Sequence, residues 1–231
     1  MRCLLGLFLF SSFAAAQADH NANAWFMYFG DHAIGKSRFG VHLEGQWRRA
    51  DLGLTWQQLL LRPAVNFQLN QKVMLTGGYG FIETHRYGDY PARHSFLEHR
   101  TFEQANITQK LFGLDWQNRL RLEQRHILGS AARYENRFRY MLRTSVPLPV
   151  GGGKKYYLGL YDEIFYNFGK QVSFNVFDQN RAYVALGRNL KHQTRIEVGY
   201  MEQTIQQRNG RVFEHNHTLQ VAIYSRLPFG H

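Results

Sequence analysis

The sequence predicts an all-β protein: a single antiparallel transmembrane β-barrel of ten strands, with twelve as the alternative, following a cleaved signal peptide. Three observations lead there. Two neighbouring runs, 114–125 and 133–145, alternate apolar and polar or charged residues. The chain opens with a basic residue, a short apolar core and small residues, the pattern of a secretory signal. No apolar run of about 18 residues follows it, so any insertion into a bilayer must be by strands rather than helices.

The two runs define the pattern. In the first, Leu114, Trp116, Leu120 and Leu122 share one parity, and Asp115, Gln117, Arg119, Arg121, Glu123 and Arg125 the other. In the second, Tyr134, Phe138, Tyr140 and Leu142 oppose Arg133, Glu135, Arg137, Arg139 and Arg143. A helix cannot separate these sets, whereas a strand sends successive side chains to opposite faces. Each run is about 12 to 14 residues long, against about 5 to 6 for strands of soluble proteins. Strands of about 9 to 11 residues or more are what a spanning barrel needs, with apolar residues toward lipid and polar ones toward the lumen. A soluble sandwich or lipocalin-like barrel also alternates but buries its apolar face. Arginine interleaved with glutamate does not suit an ordinary solvated face.

The N-terminal segment reads Met1-Arg2-Cys3, then Leu4 to Phe10, then Ser11 to Ala16. Cleavage is expected after Ala16, with Ala18 as the alternative, which leaves a signal peptide over 1–16 and one barrel domain over 17–231. Cys3, the only cysteine, departs with the signal, so the mature chain forms no disulfide and no thiolate metal site. Formal charge is +11, and cleavage removes Arg2 and no acidic residue, leaving +10. A basic chain suggests nucleic acid first, but a secreted one seldom meets it, and this charge sits mainly on the polar face of strands. No nucleic-acid partner is expected.

Taken in order, Ala24 to Phe29 is aromatic on both faces and makes a weak first strand. Phe39, Val41, Leu43 and Trp47 then alternate with Arg38, His42, Glu44, Gln46 and Arg48. After a connection over 49–56, Leu59, Leu61, Val65, Phe67 and Leu69 oppose Gln58, Arg62, Asn66 and Gln68, and Pro63 should mark a bulge or a missing ladder bond. Val73, Leu75, Gly77, Tyr79 and Phe81 oppose Thr76, Gly78 and Gly80, which leaves inward room for a neighbour's arginine. A Gly/Pro-rich loop over 87–94 leads into a long polar strand, 96–110, with Glu98, Arg100, Gln104 and Asn106. Beyond the central pair, Val146 to Lys155 carries two prolines and three glycines and is a connection.

In the last third, Leu158, Leu160, Ile164, Tyr166 and Phe168 oppose Tyr157, Gly159, Tyr161, Glu163 and Asn167. Gln179, Arg181, Tyr183 and Gly187 oppose Ala182, Val184 and Leu186. Arg195, Glu197, Gly199, Met201 and Gln203 oppose Ile196, Val198 and Tyr200, and Leu219, Val221 and Ile223 share a face of the final strand. Eleven candidate strands result, whereas single-chain bacterial barrels use even numbers. The first segment is therefore the one to discount. Short turns near Asn70, Lys110 and Asn189 alternate with longer loops near 90, 129, 173 and 208, which fits short periplasmic and long extracellular connections and puts both chain ends on the periplasmic side.

Several phrases recur in a fixed order: Gln58 to Pro63 leading to Gly78-Tyr79, the arginine-rich pair, Asp162-Glu163-Ile164-Phe165, Asn180-Arg181-Ala182-Tyr183, Val198-Gly199-Tyr200 with Gln203, and Asn216-His217. Together they resemble the bacterial family catalogued as domain of unknown function 2490, over about Trp25 to Leu227. The resemblance implies an outer-membrane barrel, in a Gram-negative bacterium, and implies no reaction or ligand.

The candidate site is the inward charge ladder Arg119, Arg121, Glu123, Arg125, Arg133, Glu135, Arg137, Arg139, Arg143, Glu163, Arg181, Arg195 and Glu197. It reads as a salt-bridged plug filling a narrow lumen, or as a narrow porin-like, anion-leaning pore in which excess arginine draws small anionic solutes. The alternative from another class is an outer-membrane lipid-modifying enzyme, a lipase or deacylase, which would need Ser95, His94 and Glu98. Adjacent residues on a strand point apart, so His94 and Ser95 would meet only in a loop. His215 and His217 share a strand face beside Glu214, and His85, His94 and His99 flank a loop, but neither set offers a complete metal shell. No catalytic residue, metal or cofactor is assigned. Gly151 to Lys154 lacks the helix context of a phosphate loop. The expected partners are outer-membrane lipid and the barrel-assembly machinery.

Overall fold

The computed structural model describes residues 17–87, 94–129, 132–150 and 155–229. The expected signal peptide and the Gly151 to Lys154 segment lie outside them. Eleven strands form one closed barrel: β1 Gln17–Ala33, β2 Phe39–Ala50, β3 Thr55–Gln68, β4 Val73–Thr84, β5 Phe96–Leu111, β6 Leu114–Ile127, β7 Arg133–Pro147, β8 Tyr156–Phe168, β9 Phe177–Asn189, β10 Thr194–Gln206 and β11 Val212–Ser225. Neighbours in sequence pair antiparallel. Among the described residues, helix is confined to the short 3₁₀ turn Asp51–Gly53.

The expected ten strands, and the alternative of twelve, are corrected to eleven. The discounted first segment is a full strand that closes the barrel by pairing in parallel with β11, from Gln17↔Val212 to Gly30↔Ser225. This pairing is forced by the odd count: with every connection reversing direction, the first and last of eleven strands run the same way. Aromatics on both faces, which made β1 look weak, have a structural cause. Trp25 and Met27 turn inward and pack with Tyr183, Ala185, Met201 and Ala222, while Phe26 turns out against Trp47.

Parallel closure also corrects the placement of the chain ends. Gln17 lies beside Val212 at the end carrying the longer loops, and Ser225 lies beside Gly30 at the other. Past β11 the chain is clasped by β1: Phe229 N–H donates to Ala33 O at 2.8 Å, and its ring stacks on His32 at 4.4 Å. The short connections 69–72, 112–113 and 190–193 share that second end. Their tightness is visible in the left-handed backbone of Phe112 (φ 54°) and Gly113 (φ 76°), a pair of positive angles suited to a two-residue hairpin turn. The proline- and glycine-bearing connection 148–155 joins them and is the exception in length.

Two irregularities matter for the interior. The ladder between β3 and β4 skips Arg62 and Pro63 without changing register, so the proline interrupts the bonds and makes no bulge. The bulge is earlier: register shifts opposite Arg48/Arg49, and Gln57 is the extra residue. A second shift, between Phe165 and Tyr166, leaves Asp178 as the extra residue of β9 and turns it inward beside Gln179.

The barrel is inside-out relative to a soluble one. Leu61, Val65, Val198 and Leu219 on the outer face are 47%, 56%, 48% and 50% exposed, whereas Arg62, Arg121, Glu123 and Glu197 are at most 3% exposed.

Candidate functional site

The inward face of β6 and β7 carries the densest charge. Register sets Arg121 opposite Arg139, Glu123 opposite Arg137 and Arg125 opposite Glu135. The opposed arginines would repel, and carboxylates on β2, β6 and β8 offset this. Arg121 reaches Gln104 Oε1 at 2.7 Å and Glu44 Oε2 at 3.6 Å, on the β5 and β2 side. Arg139 reaches Glu163 Oε1 at 2.8 Å on the β8 side and Glu123 Oε1 at 2.7 Å on β6, an oxygen that Arg121 Nη1 also approaches at 3.9 Å.

Glu123 is the hub. Its carboxylate accepts from Arg137 Nη2 at 2.6 Å and Arg139 Nη1 at 2.7 Å, with Arg100 Nη1 at 3.5 Å. Glu163 accepts from Arg119 at 2.6 Å as well as from Arg139. Glu44 holds Arg62 and Arg121. Toward the long-loop end, Glu98 holds Arg100 and Arg125, and Glu135 holds Arg125, Arg133 and Arg208. Toward the other end, Glu197 holds Arg143 and accepts from the Tyr157 hydroxyl at 2.8 Å. Charge-assisted and often bidentate, these contacts are the strong kind of hydrogen bond.

Of the thirteen ladder residues, Arg119, Arg133 and Arg195 are half-buried and the other ten are buried. All project inward. Arg195 lies with its guanidinium 4.6 Å over the Tyr224 ring, which Arg143 also covers at 5.0 Å. The ladder as read from sequence lacked its partners on β2, β3 and β5, namely Glu44, Arg62, Glu98 and Arg100. Their parity alone would have added them. Asp178, 2.9 Å from Arg137 Nη1, had no such signal, because only the bulge turns it inward.

Two buried arginines stand apart from this network. Among the described residues Arg48 bonds only amides, Gln46 Oε1 at 2.9 Å from Nε and Gln58 Oε1 at 2.7 Å from Nη1. Arg181 has, among the described residues, one long hydrogen bond to Gln179 at 3.5 Å and no partner for its Nε. Both lie over the Trp25 ring, at 3.8 and 5.2 Å. The indole N–H is fixed by Gln57 Oε1 at 2.7 Å, so the bulge at Gln57 positions the ring.

Two cavities flank the network. One, about 500 Å3, lies toward the long-loop end, with Trp25, Arg48, Tyr87 and Arg181 in its wall. The other, about 450 Å3, lies toward the short-turn end, with Glu44, Arg119 and Arg195 in its wall. They meet at Arg139 and Arg181, which border both. Among the described residues, nine arginines and three acidic residues line the first, and seven arginines and three acidic residues the second. The interior potential is therefore positive. At the mouth of the first cavity, beyond β4, burial pushes the Tyr87 phenol above its ordinary value, so it stays a neutral hydroxyl.

The candidate triad is not assembled. Ser95 and His94 are exposed with no hydrogen bond between them, and the Glu98 carboxylate is taken by Arg100 and Arg125. His215 and His217 point outward, and β1 brings a third ring to them: His20 stacks on both, at 5.3 and 5.6 Å. The parallel pairing that creates this trio is invisible in the sequence. Glu214 turns the other way, into the barrel. His85 pairs with Glu83 and His99 stacks near Tyr79 and Phe81, so they do not converge. Among the described residues, no three His, Cys, Asp or Glu side chains gather as a metal shell.

A family model described as a protein of unknown function, DUF2490, matches residues 22–214. An uncharacterized protein of Methylorubrum extorquens is 30% identical over 176 residues, 73% of this chain and 72% of that protein. No solved structure matches.

Proposed function

The chain belongs to the DUF2490 family of proteins of unknown function, and from that premise we propose that it is an integral outer-membrane barrel whose lumen is closed by its own salt bridges. Its role on this reading is non-enzymatic and structural. The barrel-assembly machinery would insert it, and outer-membrane lipid would surround it. Support for the membrane comes from the outer face, where large apolar side chains alternate around the barrel with an inward polar set. The absence of a long apolar helix among the described residues leaves strands as the means of crossing.

The observation that carries closure is the layer through Glu44, Glu123 and Glu163. Six arginines, Arg62, Arg100, Arg119, Arg121, Arg137 and Arg139, meet these three carboxylates; Arg121 on β6 crosses the interior to Glu44 on β2, Arg119 spans two strands to Glu163 on β8, and the others tie neighbouring strands. Eleven strands enclose a narrow space, far from the 16 to 18 of open porins, and the arginines of this layer constrict it between the two cavities.

The test is conductance of the purified protein in planar bilayers. The closed reading expects no stepwise current. An anion-selective current that falls when Arg121 or Arg139 is neutralised would replace it with the second reading, a narrow anion-leaning pore, which the arginine excess in both cavity walls favours. The barrel itself is checked separately, by heat-modifiable migration and recovery with the outer-membrane fraction.

A further inference from the structure

We propose that the cavity at the long-loop end binds a phosphate-type oxyanion between Arg48 and Arg181. The charge balance of the interior leads to this site. Arg62, Arg100, Arg121, Arg125, Arg137, Arg139 and Arg143 each lie within ion-pair distance of a carboxylate. Arg48 and Arg181, equally removed from water at 8% and 9% exposure, have none among the described residues.

The groups in contact with them do not cancel the charge, and Glu163 and Glu44 act on Arg181 and Arg48 only from beyond ion-pair distance. Gln46, Gln58 and Gln179 offer neutral oxygens, and the Trp25 face offers a cation–π contact. Such contacts are weaker than the cost of desolvating a guanidinium. Two positive charges on one indole also repel each other. An anion in the adjoining cavity would relieve both penalties.

Geometry suits a tetrahedral oxyanion. A guanidinium presents five N–H donors in a planar fork, and paired forks clamp phosphate through several oxygens. Among the described residues Arg181 has one hydrogen bond, to Gln179, and its Nε has no partner. The cavity, about 500 Å3, exceeds what a bare ion needs and has room for a small group attached to the phosphate. That group reaches the site from solution or on a lipid headgroup. The site lies wholly within the barrel interior and stands whether or not the barrel conducts.

Trp25 supplies the readout. Trp47→Phe, Trp56→Phe and Trp116→Phe together leave it as the only tryptophan, and its fluorescence is followed in the folded, detergent-held barrel at constant ionic strength. Titration with inorganic phosphate is expected to give a saturable change, weakened at least tenfold by Arg48→Gln and by Arg181→Gln and unchanged by Arg226→Gln at the opposite end. A response to lysophosphatidic acid in the micelle, but not to inorganic phosphate, supports the same site and places the phosphate on a lipid. Two results overturn the proposal: no response to either probe from barrel that keeps its heat-modifiable migration, or a response that both glutamine variants leave intact.

Discussion

Arg139 and Arg181 border the same two cavities, are both buried and both lie close to the Phe165 ring, at 4.4 and 4.8 Å, yet their surroundings differ in kind. Arg139 is held by two carboxylates, whereas Arg181 has an amide at 3.5 Å and two aromatic faces. The same contrast separates Arg137 from Arg48. Burial therefore does not fix what an arginine contributes. A guanidinium whose charge is met by a carboxylate stabilises its neighbours, and one without a counter-charge is held in place by the rest of the fold.

The largest effect is expected at the hub. Glu123→Gln keeps the shape and removes the charge that compensates Arg137 and Arg139, so two paired arginines lose their strongest partner. Breaking a buried pair from one side costs about 3 to 5 kcal/mol, read as a lower urea midpoint for barrel unfolded from vesicles. A loss smaller than that of Arg139→Gln would mean that Glu123 is not the centre of the network.

Next comes an arginine placed where no partner exists. Leu122 is on the outer face, one residue from Arg121, and Leu122→Arg or Leu142→Arg is expected to cost about 2 to 4 kcal/mol if near the bilayer midplane. The same unfolding measurement checks it. A negligible cost in vesicles would contradict lipid at that face.

Arg139→Gln should cost less, about 1 to 3 kcal/mol, because Glu163 keeps Arg119 and Glu123 keeps Arg137. Smallest of all is Arg48→Gln, within about 0.5 kcal/mol of the parent and toward greater stability, since it deletes a buried charge that no carboxylate meets. That sign sharpens the comparison most. A loss of several kcal/mol would show that Arg48 is compensated after all, and the two classes of arginine would merge into one.

Legibility in the sequence follows the same line. The ladder on β6 and β7 could be read residue by residue, because alternation is a property of a single strand. Glu44, Arg62, Glu98 and Arg100 carry the same parity signal on their own strands, but nothing local says that they converge with β6 and β7. β1 reads as a weak strand because Trp25 and Phe26 are both aromatic. Its inward aromatics make sense only beneath Arg48 and Arg181, which come from β2 and β9.

Readable from the chain alone are the class of fold, the long strands, which side chains share a face, and the excess of positive charge on the inner one. These depend on the two-residue repeat of an extended chain and on composition. Tertiary structure alone decided the odd strand number with its parallel closure, the bulges that turn Gln57 and Asp178 inward, and which arginines meet a carboxylate. Those features depend on register between strands far apart in the chain, and a shift of one residue in a ladder exchanges inner for outer side chains without altering the alternation within either strand.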